Sequence, residues 1–199
     1  MIRTISLLLF LLNTTLSYTQ EAGFYNRLSD AALSLTKDRV VYDPAYYKID
    51  YPNGDVPRGR GVCTDVIIRA YRKLGIDLQV KVHEDMKANF KLYSNQKRWG
   101  LKSTDRNIDH RRVPNLQVFF SRKGTVKKIS DKAEDYKTGD LITWDLGNGI
   151  THIGIVVDRK SRDGKRPFIV HNVGAGQVLQ DCLFTWRITG HYNYDGNKK

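Results

Sequence analysis

Apolar residues in the first part of the chain recur every three or four positions, the spacing of an amphipathic helix. On this basis we predict helices over residues 23–36, 62–74, 83–93 and 114–120. Gly75, which directly follows the second helix, is a residue that commonly ends helices. The two remaining segments, 39–57 and 95–114, have no regular period, so we predict that they are loops.

From residue 140 onward the pattern changes to alternation between apolar and other residues, which is typical of strands. We predict strands over residues 140–144, 152–158, 167–172 and 186–192. Helices followed by an antiparallel meander form an α+β pattern. The expected architecture is therefore N-terminal helices packed on a C-terminal antiparallel sheet.

The N-terminus carries one positive charge at Arg3, then a short apolar run, then small and polar residues. This order is typical of a secretory signal peptide, which we place at residues 1–20. The remaining residues, 21–199, are expected to form one domain. No later stretch is long and apolar enough to span a membrane, so we expect an exported protein of the bacterial periplasm or exterior.

The chain is strongly basic, with a formal net charge of +12. Such a charge favours an acidic partner, although a solvated basic surface has the same composition. The basic residues are dispersed and show neither zinc-finger spacing nor interleaving with aromatic residues. A nucleic-acid partner is therefore not expected.

Two cysteines are present, Cys63 and Cys182. In an exported protein they are candidates for a disulfide. Their contexts differ, however, because Cys63 opens an amphipathic helix whereas Cys182 lies in an apolar run typical of core packing. We therefore favour two free thiols.

The candidate chemistry combines Cys63 with His152 and His171, which lie on adjacent predicted strands. A thiol becomes a nucleophile when a base removes its proton, and the base needs an orienting group. The first turn of a helix is expected to lower the pKa of Cys63 and to supply N–H donors for an oxyanion. Asn172 is a second candidate orienter, although strand alternation places it opposite His171. Alternatively, the two histidines are zinc ligands with a cysteine or aspartate.

Three segments of the chain, residues 60–66, 107–116 and 152–157, resemble the exported bacterial domain-of-unknown-function family 1287. The order of Cys63, His152 and His171 is also similar to that of the NlpC-type cell-wall cysteine peptidases. The resemblance implies a papain-like NlpC-type fold with Cys63 as nucleophile, His152 as general base and His171 as the third polar residue. Tyr51 matches a tyrosine that contacts the oxyanion or substrate in those enzymes, unless it only packs in its loop.

The sequence departs from the NlpC-type pattern at the nucleophile, where Val62 and the Thr64-Asp65 pair replace an acid and a Ser-Gly pair. These replacements affect the mode of substrate binding rather than the nucleophile. Residues 107–116 have no counterpart in ordinary NlpC domains. The further candidates for oxyanion or substrate contacts are Asp65, His110, Arg111 and Asn172. Arg111, with its neighbours His110 and Arg112, is expected to line the groove and hold a carboxylate, or else to belong to a solvated basic loop.

The resulting hypothesis is an exported, monomeric cysteine hydrolase that cleaves an amide bond in peptidoglycan peptides, with no cofactor and no metal. The alternatives are a non-catalytic wall-binding module of the same fold, a metal-binding protein, and an acyl hydrolase or transferase on a non-wall substrate.

Overall fold

The computed structural model describes residues 23–197. The signal peptide predicted at residues 1–20 lies outside these residues. Five α-helices are present in this part of the chain: α1 (23–35), α2 (Cys63–Lys73), α3 (Leu78–Ala88), α4 (Asn95–Trp99) and α5 (Val113–Lys123). Short 3₁₀ helices occupy Phe90–Leu92, Asp109–Arg111 and Ala133–Asp135. Among the described residues no helix has the length and apolar character needed to cross a membrane.

The predicted third helix is wrong in its bounds, because α3 begins five residues before His83. Its N-terminus is fixed by Asp77, whose carboxylate accepts hydrogen bonds from the backbone N–H groups of Gln79 at 2.9 Å and Val80 at 3.4 Å. A capping aspartate of this kind satisfies N–H groups that have no partner inside the helix. The loop predicted over 95–114 also contains α4, which ends at Gly100 in a left-handed conformation.

The main sheet has six strands: β3 (Thr125–Val126), β4 (Leu141–Asp145), β5 (Thr151–Lys160), β6 (Pro167–His171), β7 (Val178–Gln180) and β8 (Arg187–Asn193). Their spatial order is β3-β8-β4-β5-β6-β7, and every pair in it is antiparallel. The predicted meander therefore holds for β4 to β6, whereas β8 lies beside β4, and β3 and β7 were not predicted. Two further short strands, β1 (Val41–Tyr42) and β2 (Arg60–Gly61), pair in parallel and were not predicted.

The two faces of the main sheet are covered by different parts of the chain. On one face the helices α1, α2, α3 and α5 share a core with the odd-numbered positions of β5, Ile153, Ile155 and Val157. On the other face Val156 of β5 packs with Trp144, Cys182 and Leu183. The predicted α+β class, with N-terminal helices on a C-terminal antiparallel sheet, is confirmed.

Candidate functional site

Cys63 is the first residue of α2 and is only 5% exposed. Its side chain belongs to the core between the helices and the sheet, together with Ile67 and Ile153. The backbone N–H groups of Ile153, Thr64 and Cys63 itself are hydrogen-bond donors to its sulfur. The N–H groups of Cys63 and Thr64, which have no partner inside α2, therefore bond the sulfur, as expected at the start of a helix.

The expected lowering of the thiol pKa is wrong. Burial raises the pKa of Cys63 to about 12, and the nearby carboxylate of Asp65 adds to this rise. The three backbone hydrogen bonds lower it, but they do not offset the loss of water around a charged sulfur. A buried thiol is neutral at neutral pH because the thiolate has lost its hydration.

The two histidines form a hydrogen-bonded pair. Nε2 of His152 lies 2.8 Å from Nδ1 of His171, and the two rings meet edge to face. The side chains of Trp144 and Trp186 flank His152, each with its ring centre 5.7 Å away. Burial lowers the pKa of His152 to about 3, and the charge of His171 lowers it further. The resting pair is therefore neutral.

The sulfur and the imidazoles approach β5 from different sides. His152 is paired with Trp144 in the sheet, so both side chains project from the face opposite to α2. The sulfur of Cys63, on the α2 side, contacts the backbone of Ile153, the next residue along β5. Within residues 23–197 the structure gives this backbone contact and no hydrogen bond between the sulfur and the imidazole. Cys63 and His152 thus lie against neighbouring residues of β5 without a hydrogen bond between them.

Tyr51 packs against neighbouring side chains. Its ring lies 5.4 Å from that of His83, and the guanidinium of Arg106 lies over it at 5.5 Å. These contacts fit the alternative of packing, and a contact of Tyr51 with the oxyanion or substrate stays a prediction.

Tyr42 lies on the strand next to the start of α2. Pairing of β1 with β2 sets Tyr42 opposite Gly61, two residues before Cys63. Its pKa is raised by burial and then by the charges of Cys63 and Asp65. The residue is 40% exposed. The sequence carried no signal for it, because a two-residue strand has no detectable period.

Asp65 and Arg111 are engaged with each other rather than with a groove. Their side chains are 3% and 2% exposed, and Nε and Nη2 of Arg111 donate to the two carboxylate oxygens at 2.9 and 3.1 Å. Asp65 also accepts the backbone N–H of Val62 at 2.7 Å. Arg111 donates to the backbone oxygens of Ala45 at 3.1 Å and Asp43 at 3.4 Å. The expectation that Arg111 lines a groove is wrong, because its side chain is 2% exposed and four hydrogen bonds hold its guanidinium inside the protein.

The two other candidates are also buried. His110 is 2% exposed, and burial lowers its pKa to about 3, with a further contribution from Arg111. It therefore belongs neither to a groove nor to a solvated loop. The side-chain amide of Asn172 donates to the backbone oxygen of Gly61 at 3.2 Å, which ties the end of β6 to β2.

Both cysteines are free thiols, as favoured from the sequence. Cys182 is buried among apolar side chains of the second core, and its sulfur lies 3.6 Å from Nε2 of His171. In the described part of the chain no group of three or more histidine, cysteine, aspartate or glutamate residues is arranged to hold a metal ion.

Comparison with known proteins gives one family match and one curated relative. The model of the family described as Domain of unknown function (DUF1287) matches residues 29–194. An uncharacterized protein, YijF of Escherichia coli strain K12, is 50% identical over 167 residues, which is 84% of this chain and 80% of that protein.

Two solved structures are similar at low identity. NlpC1 from Trichomonas vaginalis is 18% identical with a TM-score of 0.43, and covers 85% of this chain. A protein of the NLP/P60 family, similar to lipoprotein, from Staphylococcus aureus Mu50 is 15% identical with a TM-score of 0.40, and covers 86%. The chain spans 44% and 41% of the length of these two proteins.

Proposed function

The chain belongs to the DUF1287 family, and we propose that it is an exported cysteine hydrolase that cleaves an amide bond. One observation carries this proposal. The first residue of α2 is a cysteine whose sulfur contacts the β5 backbone directly beside a hydrogen-bonded pair of imidazoles. The thiol and the imidazoles thus lie against neighbouring residues of one strand, and this supports the proposed roles of nucleophile, base and orienting group.

In the proposed reaction the sulfur of Cys63 leaves the Ile153 backbone and approaches Nδ1 of His152 around the end of β5, since the two side chains lie on different faces of that strand. Nε2 of that ring is already bonded to His171, so Nδ1 is the nitrogen available to take the proton. The sulfur attacks the amide carbonyl as its proton passes to His152, because neither group is charged at rest. A tetrahedral oxyanion forms, with a new sulfur–carbon bond.

The oxyanion is stabilised by the N–H groups at the start of α2 and by the hydroxyl of Tyr42. His152 then gives its proton to the leaving nitrogen, the carbon–nitrogen bond breaks and an amine departs. A thioester remains on Cys63. Water attacks this thioester with His152 as base, which releases the carboxylate product and restores the thiol.

A peptide amide in peptidoglycan is the proposed substrate. The predicted signal peptide supports a site of action outside the cytoplasm. The net charge of +12 supports attraction to an anionic wall. Two other substrates, a lipid amide and a protein amide, fit the same chemistry and are distinguished by the released product.

The test is the release of new amino groups and fragments from purified peptidoglycan, followed by mass spectrometry. We expect release by the wild-type protein and none by Cys63→Ala or His152→Ala. His83→Gln, in α3, is a matched histidine control and should keep full release. Full activity in either site variant would remove the mechanism, whichever fragments appear.

A non-catalytic wall-binding module is the second candidate function. The observation that favours it is the burial of the thiol and of both imidazoles, which keeps all three groups neutral. Co-sedimentation with peptidoglycan separates the two functions. Binding that is unchanged in Cys63→Ala, with no fragment released by the wild-type protein, would establish the binding module.

A further inference from the structure

The hydrogen bonds of the histidine pair continue to a third side chain. Nε2 of His171 lies 3.0 Å from Oε1 of Gln180, on the neighbouring strand β7. Nδ1 of His171 lies 2.8 Å from Nε2 of His152. Three polar side chains on three adjacent strands, β5, β6 and β7, therefore form one line.

The chemistry of these atoms fixes where the protons lie. An amide oxygen only accepts hydrogen bonds, so Nε2 of His171 must carry a proton and donate it to Gln180. A neutral imidazole has one N–H, so Nδ1 of His171 is an acceptor. Nε2 of His152 must then carry the proton of the bond between the rings. Nδ1 of His152 is left with a free lone pair.

We propose that Gln180 is a positioning residue that sets the tautomers of both histidines and so leaves Nδ1 of His152 able to take the proton of Cys63. This inference rests on the proposed function, since it describes the base of that reaction. Gln180 touches no reacting atom and acts only through His171. Its place in the sequence, two residues before Cys182, carries no recognisable motif.

Cys182 is the competing partner of the same nitrogen. Its sulfur lies 3.6 Å from Nε2 of His171, against 3.0 Å for the amide oxygen. If the Cys182 thiol donated its proton to this nitrogen, the direction of the hydrogen bond between the rings would be reversed. Nδ1 of His152 would then carry a proton. The closer oxygen is the stronger acceptor, because sulfur forms only weak hydrogen bonds. Gln180 therefore sets which nitrogen of His171 carries the proton.

The test uses two substitutions in a Cys182→Ala background, which also removes the second thiol from the readout. Gln180→Glu keeps an acceptor and no donor, whereas Gln180→Leu removes the hydrogen bond. The first readout is the ¹⁵N spectrum of the histidine rings. We expect His171 protonated at Nε2 and His152 protonated at Nε2, both in the background protein and in Gln180→Glu. In Gln180→Leu the two tautomers should mix.

The second readout is the rate at which iodoacetamide alkylates Cys63, followed against pH. We expect Gln180→Leu to lower the His152-dependent rate by about tenfold, the effect of one lost hydrogen bond. Gln180→Glu should keep the rate. A ring proton on Nδ1 of His171 in the background protein, or an unchanged rate in Gln180→Leu, would overturn the inference.

His152→Ala separates this inference from the proposed function. If that variant slows alkylation and Gln180→Leu does not, the function stands and the role of Gln180 falls. If His152→Ala leaves the rate unchanged, His152 is not the base and both fall. A slower rate in both variants, with the expected ¹⁵N pattern, supports both.

Discussion

Replacement of Arg111 by methionine is expected to destabilise the protein strongly, because it leaves the carboxylate of Asp65 buried without a counter-charge. The two side chains are 2% and 3% exposed and share two hydrogen bonds. Methionine has a similar length but supplies no donor. The remaining hydrogen bond to Asp65, from the backbone of Val62, is too little to hold a full charge in the core.

The expected loss is about 3–5 kcal/mol in the free energy of unfolding, the usual effect of removing one partner of a buried pair. Total stability of a domain is about 5–15 kcal/mol, so the loss would be visible as a large fall in the urea midpoint. Urea unfolding followed by circular dichroism at neutral pH is the assay.

Two controls make the measurement specific. Arg187→Met breaks a comparable contact, 2.7 Å to Asp145, but Arg187 is 73% exposed, so its effect should stay below about 1 kcal/mol. Asp65→Asn combined with Arg111→Met removes both charges and should recover part of the loss. If Arg111→Met unfolds at the same urea concentration as Arg187→Met, the argument that buried Asp65 needs Arg111 as its counter-charge is wrong.

Three further predictions concern the sheet. His152 has a pKa of about 3 when folded, against 6.5 for a free imidazole. Stability should therefore fall by roughly 2 kcal/mol from pH 6.5 to 4.5 in urea melts, and less steeply in His152→Gln. Gly154→Ala places a methyl carbon 2.5 Å from Cγ2 of Ile169, so we expect the free energy of unfolding to fall by about 1–3 kcal/mol. An unchanged urea midpoint would show that the side chain of Ile169 makes room for the methyl group without cost. Asp140→Asn removes the carboxylate charge that lies 2.6 Å from Nε2 of His191 and 2.6 Å from Nζ of Lys127, and thermal unfolding should show a loss of about 1–3 kcal/mol.

The sequence predicted the elements that carry Cys63 and the two histidines, because each lies in a long element with a clear period. The amphipathic pattern of residues 62–74 was enough to place Cys63 on the inner side of α2, where the structure has it. Alternation in β5 and β6 was enough to expect His152 beside His171. Local patterns therefore predicted the elements that hold the three main residues of the candidate site.

What the sequence did not predict depends on contacts between distant residues. Tyr42 and Gln180 lie on strands of two and three residues, which are too short to show a period. Arg111 was expected to bind an external carboxylate, since nothing in a linear sequence shows that Asp65, 46 positions earlier, occupies its guanidinium. The pKa of Cys63 was misjudged for the same reason, because its burial comes from elements far along the chain.

The position of β8 between β3 and β4 has a consequence for how the chain folds. Until residues 187–193 have been synthesised, β4 can pair only with β5, and one edge of the central sheet stays open. The last of the described strands is thus an interior strand, and its pairing with β4 requires contacts between residues far apart in the sequence, which slow folding. A chain interrupted before residue 187 would present an unpaired apolar edge, the kind of surface on which strands of other chains assemble.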